Sequence, residues 1–385
     1  VIYEVQPDSP AARSGLLPGD NLTAVEGVSV VGLGVGPVVT MLKGEEGTSI
    51  AVEIVRGQQK PFSIEITRDI IEINPVITAL FGGVGYIKIT EFNDNTEKNF
   101  LSALETLDKQ QITQLVLDLR DNPGGAADQA VAVAKQLIPR GLITRLDFKS
   151  EESEDISFYS DLDKKKYNLA VLVNGMSASA AEILAGAVQD ARAGTLVGSR
   201  TYGKSKVQTV LPLLTPDAYS KYARLGARSV NALKVLELEG AKLTEEDILG
   251  WLKLTTGEYF TPAGRRIDQV GLTPDVAVEG YLPLHGIDVH GIDKLPRTTP
   301  LAQGSKDIAV INAEKILKLL NYTVNTPDLS LDTITAAALK EYQQKKKIRA
   351  TGALDILTQA ELNKDLDRLI LEIDTPLAKA IELLL

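Results

Sequence analysis

The sequence contains no cysteine, which excludes disulfide frameworks, thiolate metal sites and a cysteine nucleophile. It has only two histidines, His285 and His290, and neither is near a G-x-S-x-G pattern, so a histidine-based triad is not favoured. No run of eighteen apolar residues occurs, so we expect no membrane-spanning helix. Basic residues are outnumbered by acidic ones, 41 against 51, giving a net charge of -10. A nucleic-acid backbone would meet no positive field, so nucleic acid is not a predicted partner.

The composition that remains is that of an ordinary globular protein. Hydrophobic residues make up 44% of the chain and charged residues 24%, which excludes general disorder. A length of 385 residues is enough for two or three domains, each with its own core. The first residues, VIYEVQPDSP, lack a basic segment followed by an apolar run and look like the interior of a domain. We therefore expect any export signal to lie outside this chain.

Residues 1–67 form a region of predicted β-strands. VIYEV, NLTAVEG and TSIAVEIVR alternate apolar and polar side chains between Gly and Pro residues. The stretch SPAARSGLLPGD resembles the signature of PDZ domains, and GPVVTMLKG resembles the helix beside their peptide groove. The carboxylate-binding loop of a PDZ domain would lie upstream of Val1. Residues 1–67 are thus predicted to be a partial PDZ domain.

The middle region, 68–284, alternates strand-like and helix-like runs. The strand-like runs are GYIKITEF, QLVLDLR, NLAVLVN, GTLVGS and KVQTVLPLL, and the helix-like runs are NTEKNFLSALETLDKQ, AADQAVAVAKQLI and SAAEILAGAVQDA. This alternation is typical of an α/β domain with largely parallel strands. Segment 215–250 interrupts it with mixed charge and helical periodicity. We interpret that segment as an inserted cap or arm.

The last part of the chain changes composition. Residues 285–306 contain HGIDVHGID and a Pro-containing stretch, and we predict a linker there. Residues 307–385 contain short amphipathic helices separated by turn residues. Their order resembles the small three-helix peptidoglycan-binding domain. That resemblance implies a small all-α domain and cell-wall peptidoglycan as a candidate partner.

The stretch GSRTYGKS, 198–205, satisfies the phosphate-loop pattern G-x-x-x-x-G-K-[ST]. A phosphate loop requires a helix after the lysine, because the free amides and dipole of the helix hold the phosphates. Here KVQTVLPLL follows, and its β-branched residues and Pro212 predict a strand. Nucleotide hydrolysis is consequently a minor alternative, and Lys204 is open to another role.

A serine nucleophile is the other candidate chemistry. A predicted strand ends at Asn174, a tight turn follows, and a helix begins near Ser179. Backbone amides converge at a helix N-terminus and favour a developing anion, which suits acyl transfer. Serine also needs a base, and a lysine supplies one when burial lowers its pKa from about 10.4 by up to 3 to 5 units.

Lys204 is the candidate base, and Gln208 follows it at an even offset. Side chains at even offsets share one face of a strand, so Lys204, Lys206 and Gln208 are expected to align. A neutral amide such as Gln208 can orient an amine without holding it in the charged form.

Three stretches together resemble one enzyme family. LDLRDNPGG (117–125), NGMSASAAEILAGAVQD (174–190) and GSRTYGKSKVQ (198–208) are similar, in order and spacing, to the three blocks of the carboxyl-terminal processing peptidases. These are serine endopeptidases of the tail-specific group. The resemblance implies Ser179 as nucleophile, Lys204 as general base, Gln208 as the group orienting Lys204, and an oxyanion hole from the amides of Ala180 and of Gly124 or Gly125.

The same resemblance implies a fold and a function. The core would be an α/β fold of ClpP/crotonase type, and the enzyme would cleave protein substrates near exposed C-termini through an acyl-enzyme. The PDZ domain would recognise or gate those C-termini, outside the cytoplasm, and a homo-oligomer is compatible with this arrangement. No cofactor and no metal are implied. The alternative from another functional class is a non-catalytic scaffold that binds partners through its outer domains.

Several nearby residues need separate interpretation. Ser177 competes with Ser179 as nucleophile, and the family spacing to the lysine favours Ser179. Asp190 matches the family but is interpreted as structural. The family usually has Gly after the lysine, whereas this chain has Ser205 and then Lys206, which we expect to point into solvent rather than to raise the local positive charge. The residues of HGIDVHGID can bind zinc, but nothing else frames a site.

Overall fold

The structure, a computed structural model, describes residues 1–2, 5–6, 9–57, 59–71, 73–149 and 154–385. The chain divides into two compact units. The first unit contains Val1–Ile73 and Leu282–Ile373, and the second contains Asn74–Tyr281 and Asp374–Leu385. The predicted fold class, an α/β core with an N-terminal β-domain and a helical C-terminal region, is confirmed. Among the described residues no helix has the length and apolar character needed to span a bilayer.

The N-terminal part of the first unit is a small antiparallel sheet. Its elements are α1 (Pro10–Arg13), β1 (Asn21–Val25), β2 (Val28–Ser29), α2 (Val35–Leu42), β3 (Ser49–Val55) and β4 (Phe62–Thr67). The strand order is β2-β1-β3-β4. The strand predicted within VIYEV includes positions 3 and 4, which lie outside the described residues.

The SPAARSGLLPGD stretch folds through local capping and one ion pair. Ser9 Oγ accepts a hydrogen bond from Ala12 N at 3.2 Å and caps α1. Buried Asp20 accepts from Leu17 N at 2.9 Å and receives two hydrogen bonds of 2.7 Å from Arg56. The Arg56 guanidinium lowers the pKa of Asp20, so this turn is tied to β3 by a charged contact.

The second unit contains most of the strands. In chain order its elements up to residue 277 are β5 (Val76–Phe81), β6 (Val84–Ile89), α3 (Thr96–Lys109), β7 (Gln114–Asp118), α4 (Ala127–Leu137), β8 (Gly141–Phe148), β9 (Ile156–Ser160), β10 (Asn168–Val173), α5 (Ala180–Asp190), β11 (Gly194–Gly198), β12 (Lys206–Leu214), α6 (Pro216–Ala223), α7 (Ala232–Val235), a 3-10 turn (Glu245–Asp247), β13 (Ile248–Phe260) and β14 (Val276–Ala277).

The central sheet has the order β14-β11-β10-β7-β6-β5. All its neighbours are parallel except the edge pair β5 and β6. β7, β10 and β11 are almost continuously apolar and buried, as expected for strands covered on both faces. Their carboxyl ends lie at one edge of the sheet. The three family-like blocks each follow one of these strands and therefore meet at that edge.

A second, antiparallel sheet has the order β12-β13-β8-β9. Its long hairpin, β12 and β13 with the helical segment between them, is called the arm below (206–260). The helical segment has a small core of its own, formed by Leu214, Ala218, Tyr222, Ala232 and Val235. The arm is thus a folded insertion.

The remaining helices follow the core along the chain. They are α8 (Ile308–Leu319), α9 (Thr333–Lys345) and α10 (Ile356–Ile373), which belong to the first unit, and α11 (Thr375–Leu384), which belongs to the second. Asp307 and Asp332 cap α8 and α9 through backbone amides. The range 307–385 predicted for one helical domain therefore spans both units.

α11 is fixed to the central sheet, where it contacts β7, β10 and β11. Asp374 caps this helix, and both of its carboxylate oxygens accept hydrogen bonds from Arg120, at 2.7 and 2.8 Å. Arg120 also pairs with Asp118 at 2.6 Å, and all three side chains are buried. A buried charge is tolerated only when paired, so this triad fixes the start of the loop that follows β7.

Candidate active site

The three predicted catalytic side chains line one cavity. Its volume is about 450 Å³, and its wall includes Ser179, Lys204 and Gln208 at the carboxyl edge of the central sheet. Among the described residues no hydrogen bond joins the side chains of Ser179 and Lys204, or of Lys204 and Gln208. The structure therefore brings the three groups together without direct side-chain contact.

Ser179 occupies a strained turn at the start of α5. Its backbone has φ 55° and ψ −116°, a combination uncommon for a residue with a side chain. Such strain costs about 1–3 kcal/mol and persists where surrounding contacts enforce it. The helix begins at Ala180, so the first free amides of α5 lie directly beside the serine.

The loop after β7 approaches this turn closely. A Cβ placed on Gly124, which has φ 99°, would lie 2.8 Å from Ser179 Cβ and 2.9 Å from Ala180 N, so only glycine fits. The Gly124 amide donates to Asn122 Oδ1 at 2.8 Å. The amides of Gly125 and Ala180 have no acceptor among the described residues. Of the two glycines predicted for the oxyanion hole, Gly125 has the available amide.

Glu182 connects the serine turn to the lysine segment. Its side chain is 0% exposed and lies one helical turn after Ser179. One oxygen accepts from Ser179 N at 3.0 Å and from Lys204 N at 2.8 Å. The other accepts from Gly203 N at 2.8 Å and Thr201 Oγ1 at 2.6 Å. Four donors satisfy this buried carboxylate, which holds the backbones of both catalytic candidates.

Tyr259 makes a second bridge between the same two residues. Its hydroxyl lies 2.9 Å from Ser179 O and 2.7 Å from Lys204 O, and its single proton is shared between these carbonyls. Burial, with the nearby charges of Glu182 and Asp268, raises the pKa of Tyr259 well above 10, so the hydroxyl keeps its proton. Glu182 thus accepts hydrogen bonds from the amides of Ser179 and Lys204, and Tyr259 contacts the carbonyl oxygens of the same two residues.

The departure from the family pattern at 205 and 206 has a structural explanation. Ser205 is buried, and its hydroxyl donates to Glu258 at 2.9 Å. The Lys206 side chain is 36% exposed and pairs with Glu258 and Asp268, each at 3.2 Å. Arg266 contacts Glu258 at 2.7 Å and, with Ser205 and Lys206, lowers the pKa of Glu258 to about 2. The expectation that Lys206 points into solvent is wrong, because two carboxylates bind its ammonium group.

The sequence predicts that Lys204, Lys206 and Gln208 align on one face of a strand, but Lys204 lies before the strand that contains the other two. β12 begins at Lys206, after Lys204, and its register with β13 shifts between Val207 and Gln208. The extra residue of this irregularity, Thr256, lies in β13, so Lys206 and Gln208 keep the side-chain alternation of β12. All three side chains line the cavity.

Two other interpretations can be checked against the contacts. Ser177 is buried and its hydroxyl donates to Leu119 O at 2.7 Å, so this hydroxyl has a structural hydrogen bond. Asp190 accepts from Ala263 N at 2.8 Å and from Arg265 at 2.6 Å, in agreement with a structural role. The described residues contain no group of three or more His, Asp or Glu side chains placed to hold a metal ion.

The glycines of the phosphate-loop pattern are explained by close backbone packing. A Cβ on Gly198 would lie 2.1 Å from Val173 O, and one on Gly203 would lie 2.7 Å from Gly271 N. Strand β12 follows the lysine where a phosphate loop requires a helix. The nucleotide-hydrolase alternative therefore lacks its anion-binding element.

Comparison with known families identifies three regions of the chain. The model of Peptidase family S41 matches residues 83–278, just over half the chain. The chain belongs to peptidase family S41. A PDZ domain model matches residues 1–56, and a putative peptidoglycan binding domain model matches residues 306–362. The predicted resemblances to these three families are confirmed.

Individual relatives of this S41 chain extend the match. It is 34% identical over 285 residues to a carboxy-terminal-processing protease of Bartonella bacilliformis, covering 72% of this chain and 57% of that protein. It is 30% identical over 378 residues to the carboxy-terminal processing protease CtpA of Bacillus subtilis, covering 98% and 72%. A solved photosystem II D1 C-terminal processing protease matches with 28% identity and a TM-score of 0.42, covering 72% and 68%. The chain spans only 57% of the Bartonella protein it matches.

Two residues of this S41 site were not identified from the sequence. Glu182 was noted only as part of a helix, although a glutamate three positions after a helix-capping serine is a recognised signal for contact with the serine amide. Tyr259 lies 80 residues after Ser179 in a strand that was not predicted, and no local pattern indicates its contacts. A local sequence signal was therefore present for Glu182, whereas the contacts of Tyr259 depend on tertiary packing.

Proposed function

We propose that this S41 chain is a serine endopeptidase that cleaves protein substrates near their C-termini through an acyl-enzyme. Ser179 is the nucleophile, Lys204 the general base, and Gln208 the residue that orients Lys204. The observation that carries the proposal is the double bridge by Glu182 and Tyr259, which holds the strained Ser179 turn beside the Lys204 backbone at one cavity. Conformational strain held in this way is a feature of catalytic sites.

The proposed reaction uses a neutral lysine amine. Peptide binding displaces water from the cavity and brings Lys204 Nζ into contact with Ser179 Oγ. The amine takes the hydroxyl proton as Ser179 Oγ attacks the carbonyl carbon, and it returns that proton to the departing amine. Water, activated by the same lysine, then hydrolyses the ester on Ser179.

The tetrahedral intermediate needs donors for its oxyanion. The amides of Ala180 and Gly125 are the proposed pair, because neither has an acceptor among the described residues, Ala180 directly follows Ser179, and Gly125 lines the same cavity. Gly124 is assigned to packing, since its amide is bonded to Asn122. Its lack of a side chain allows the loop to approach the nucleophile.

The outer domains suggest where the enzyme acts. We propose that the PDZ domain recognises or gates the C-termini of protein substrates, and that the peptidoglycan-binding-like helices contact the cell wall. The protein would then work outside the cytoplasm, where such substrates and glycans are found. The family matches at 1–56 and 306–362 support the proposed roles of these two regions.

Cleavage of an unstructured test protein is the decisive experiment. We expect the native protein to release fragments cut near the C-terminus, and Ser179→Ala and Lys204→Ala to lose this activity by about a thousandfold or more. Gln208→Ala should lose less, because it acts only through Lys204. Circular dichroism checks that each variant is folded.

Lys234→Met is the matched control for charge, because Lys234 is an exposed lysine of the arm paired with Glu237. It should cleave at the native rate. Absence of cleavage by the native protein, or full activity of Ser179→Ala, would reject the proposal and favour a scaffold.

A further inference from the structure

The residues that line the catalytic cavity differ in charge type from the chain as a whole. The protein has a net charge of -10, yet the described residues that line the cavity include three lysines and no aspartate or glutamate. The rest of the lining is mostly apolar, with Leu146, Ile183 and Val210 among its members. A cation at the rim of a cleft with apolar walls favours an apolar ligand that carries an anion.

The three lysines differ in whether their amino groups are available to bind a ligand. Lys206 is bound by Glu258 and Asp268. Lys204 is the proposed base, a role that requires its neutral form. Lys253, on β13, is exposed, and no carboxylate among the described residues pairs with it. Lys253 is therefore the cation in this cavity that is available to a ligand.

The register of the arm shows which face Lys253 occupies. It lies directly opposite Val210, and both residues line the cavity. Trp251, two residues away and opposite Pro212, lies on the same face by strand alternation. On this face, within 208–212 and 251–255, Lys253 is the only charged residue, surrounded by Val210, Pro212 and Trp251. Lys253 is exposed on this face, so its ammonium group is accessible to an anion carried by an apolar ligand.

We propose that Lys253 is a specificity-determining residue that binds a substrate carboxylate close to the scissile bond. This inference rests on the proposed peptidase function and specifies its substrate: an apolar segment with a carboxylate beside it, supplied by the free C-terminus or by an Asp or Glu side chain. A cavity of about 450 Å³ contains both Ser179 and Lys253, so the anion lies within on the order of two or three extended residues of the cleaved bond.

Four short apolar peptides of otherwise identical sequence test the proposal. One ends in a free carboxylate and the second in an amide; the third and fourth are amidated and end in Glu and in Gln. Binding is measured with the Ser179→Ala variant, which prevents turnover. Trp251 is the only tryptophan in the chain, so a change in its fluorescence reports binding at the arm rather than at the PDZ domain.

We expect the free-acid peptide to bind a few-fold more tightly than its amide, which is the typical contribution of an ion pair with an exposed lysine. The ratio should fall as salt rises, because screening weakens the contact. Adding Lys253→Met should reduce the ratio to about one and leave binding of the amide unchanged. Lys253→Glu should invert the ratio, and the control Lys234→Met should keep it at the starting value.

The Glu and Gln peptides identify the source of the carboxylate. If the free-acid peptide binds more tightly than its amide and the Glu peptide more tightly than the Gln peptide, Lys253 binds any carboxylate. If only the free-acid peptide is preferred, Lys253 binds the C-terminal carboxylate. A ratio of one before Lys253 is changed, or a ratio that survives Lys253→Met, overturns the proposal.

Cleavage by the native protein is measured separately with the same peptides. If the native protein cleaves none of the peptides but the binding ratio depends on Lys253, the peptidase function is rejected and the carboxylate site is retained. Cleavage of all four peptides at equal rates, with equal affinities, rejects only the carboxylate site.

Discussion

The Ser179 turn and the arm form two walls of the same cavity, and they are built in opposite ways. On the turn side, α5 is buried almost throughout, and Glu182 and Tyr259 secure the backbone with several hydrogen bonds. On the arm side, residues 251–255 of β13 are exposed, and Trp251 is 70% exposed. The Ser179 side is therefore suited to position reacting atoms, whereas the exposed arm side is accessible to ligands.

The largest effect is expected from removing the Glu182 carboxylate, which holds the backbone on the Ser179 side of the cavity, here called the rigid wall. Glu182→Ala leaves three backbone amides and one hydroxyl without their buried acceptor. We expect the free energy of unfolding to fall by about 3 kcal/mol or more, with loss of peptidase activity. Denaturant unfolding and a cleavage assay measure the two effects.

Glu97→Ala is the matched control, because Glu97 also lies in the first turn of a helix but is exposed. It should change stability by only a few tenths of a kcal/mol and leave cleavage unchanged. Equal effects of the two substitutions would show that Glu182 has no special role in the rigid wall.

A smaller change tests whether the Tyr259 hydroxyl positions the site. Tyr259→Phe keeps the buried ring and removes the contact with Ser179 O and Lys204 O. We expect kcat to fall about tenfold with KM nearly unchanged, because the loss affects the geometry of the reacting groups rather than substrate affinity.

Tyr167→Phe removes the hydroxyl of another buried tyrosine, which contacts Asp108 away from the cavity. Its stability loss should be similar, about 1 kcal/mol, with kcat preserved. If both variants lose the same fraction of kcat, the effect of Tyr259 is one of general stability.

The base of the arm should show a pH dependence. The folded pKa of Glu258, about 2, is below its ordinary value of 4.5, so its ion pairs stabilise the fold above about pH 4.5 and are lost as pH falls toward 2. Glu258→Gln removes this titration. The gap in free energy of unfolding between native protein and variant should therefore shrink from pH 5 to pH 2, as measured by urea unfolding at each pH. A gap that stays constant would contradict the ion-pair assignment.

The smallest effect is expected on the exposed wall. Trp251→Ala should change stability by less than about 0.5 kcal/mol, because the side chain is mostly in solvent, but should raise KM for apolar substrates a few-fold. Leu252→Ala is the control on the opposite face of the same strand. A KM increase of the same size in both variants would mean that the cavity-side face is not a binding wall.

Much of the fold could be predicted from local pattern. The buried strands β6, β7, β10 and β11 coincide with the apolar runs, and α3, α4 and α5 differ from their predicted ranges by one residue at each end. Strands β4, β5, β8, β9 and β13 and the two-residue strands β2 and β14 were missed, since most of them are short, edge or partly exposed strands with weak apolar signals. The behaviour of Lys206 was mispredicted because its partners, Glu258 and Asp268, are more than fifty residues away.

The amino-acid sequence by itself determined that three motif blocks follow three buried strands, because hydrophobic period and turn chemistry act over a few neighbouring residues. It also excluded thiol chemistry through the absence of cysteine, and the positions of its two histidines made a histidine-based triad unfavoured. Only the tertiary structure decided that Glu182 and Tyr259 hold Ser179 and Lys204 together, and that Lys253 faces the cavity while Lys206 is neutralised. Those outcomes depend on strand register and on contacts between distant segments, which exist only after the chain has packed.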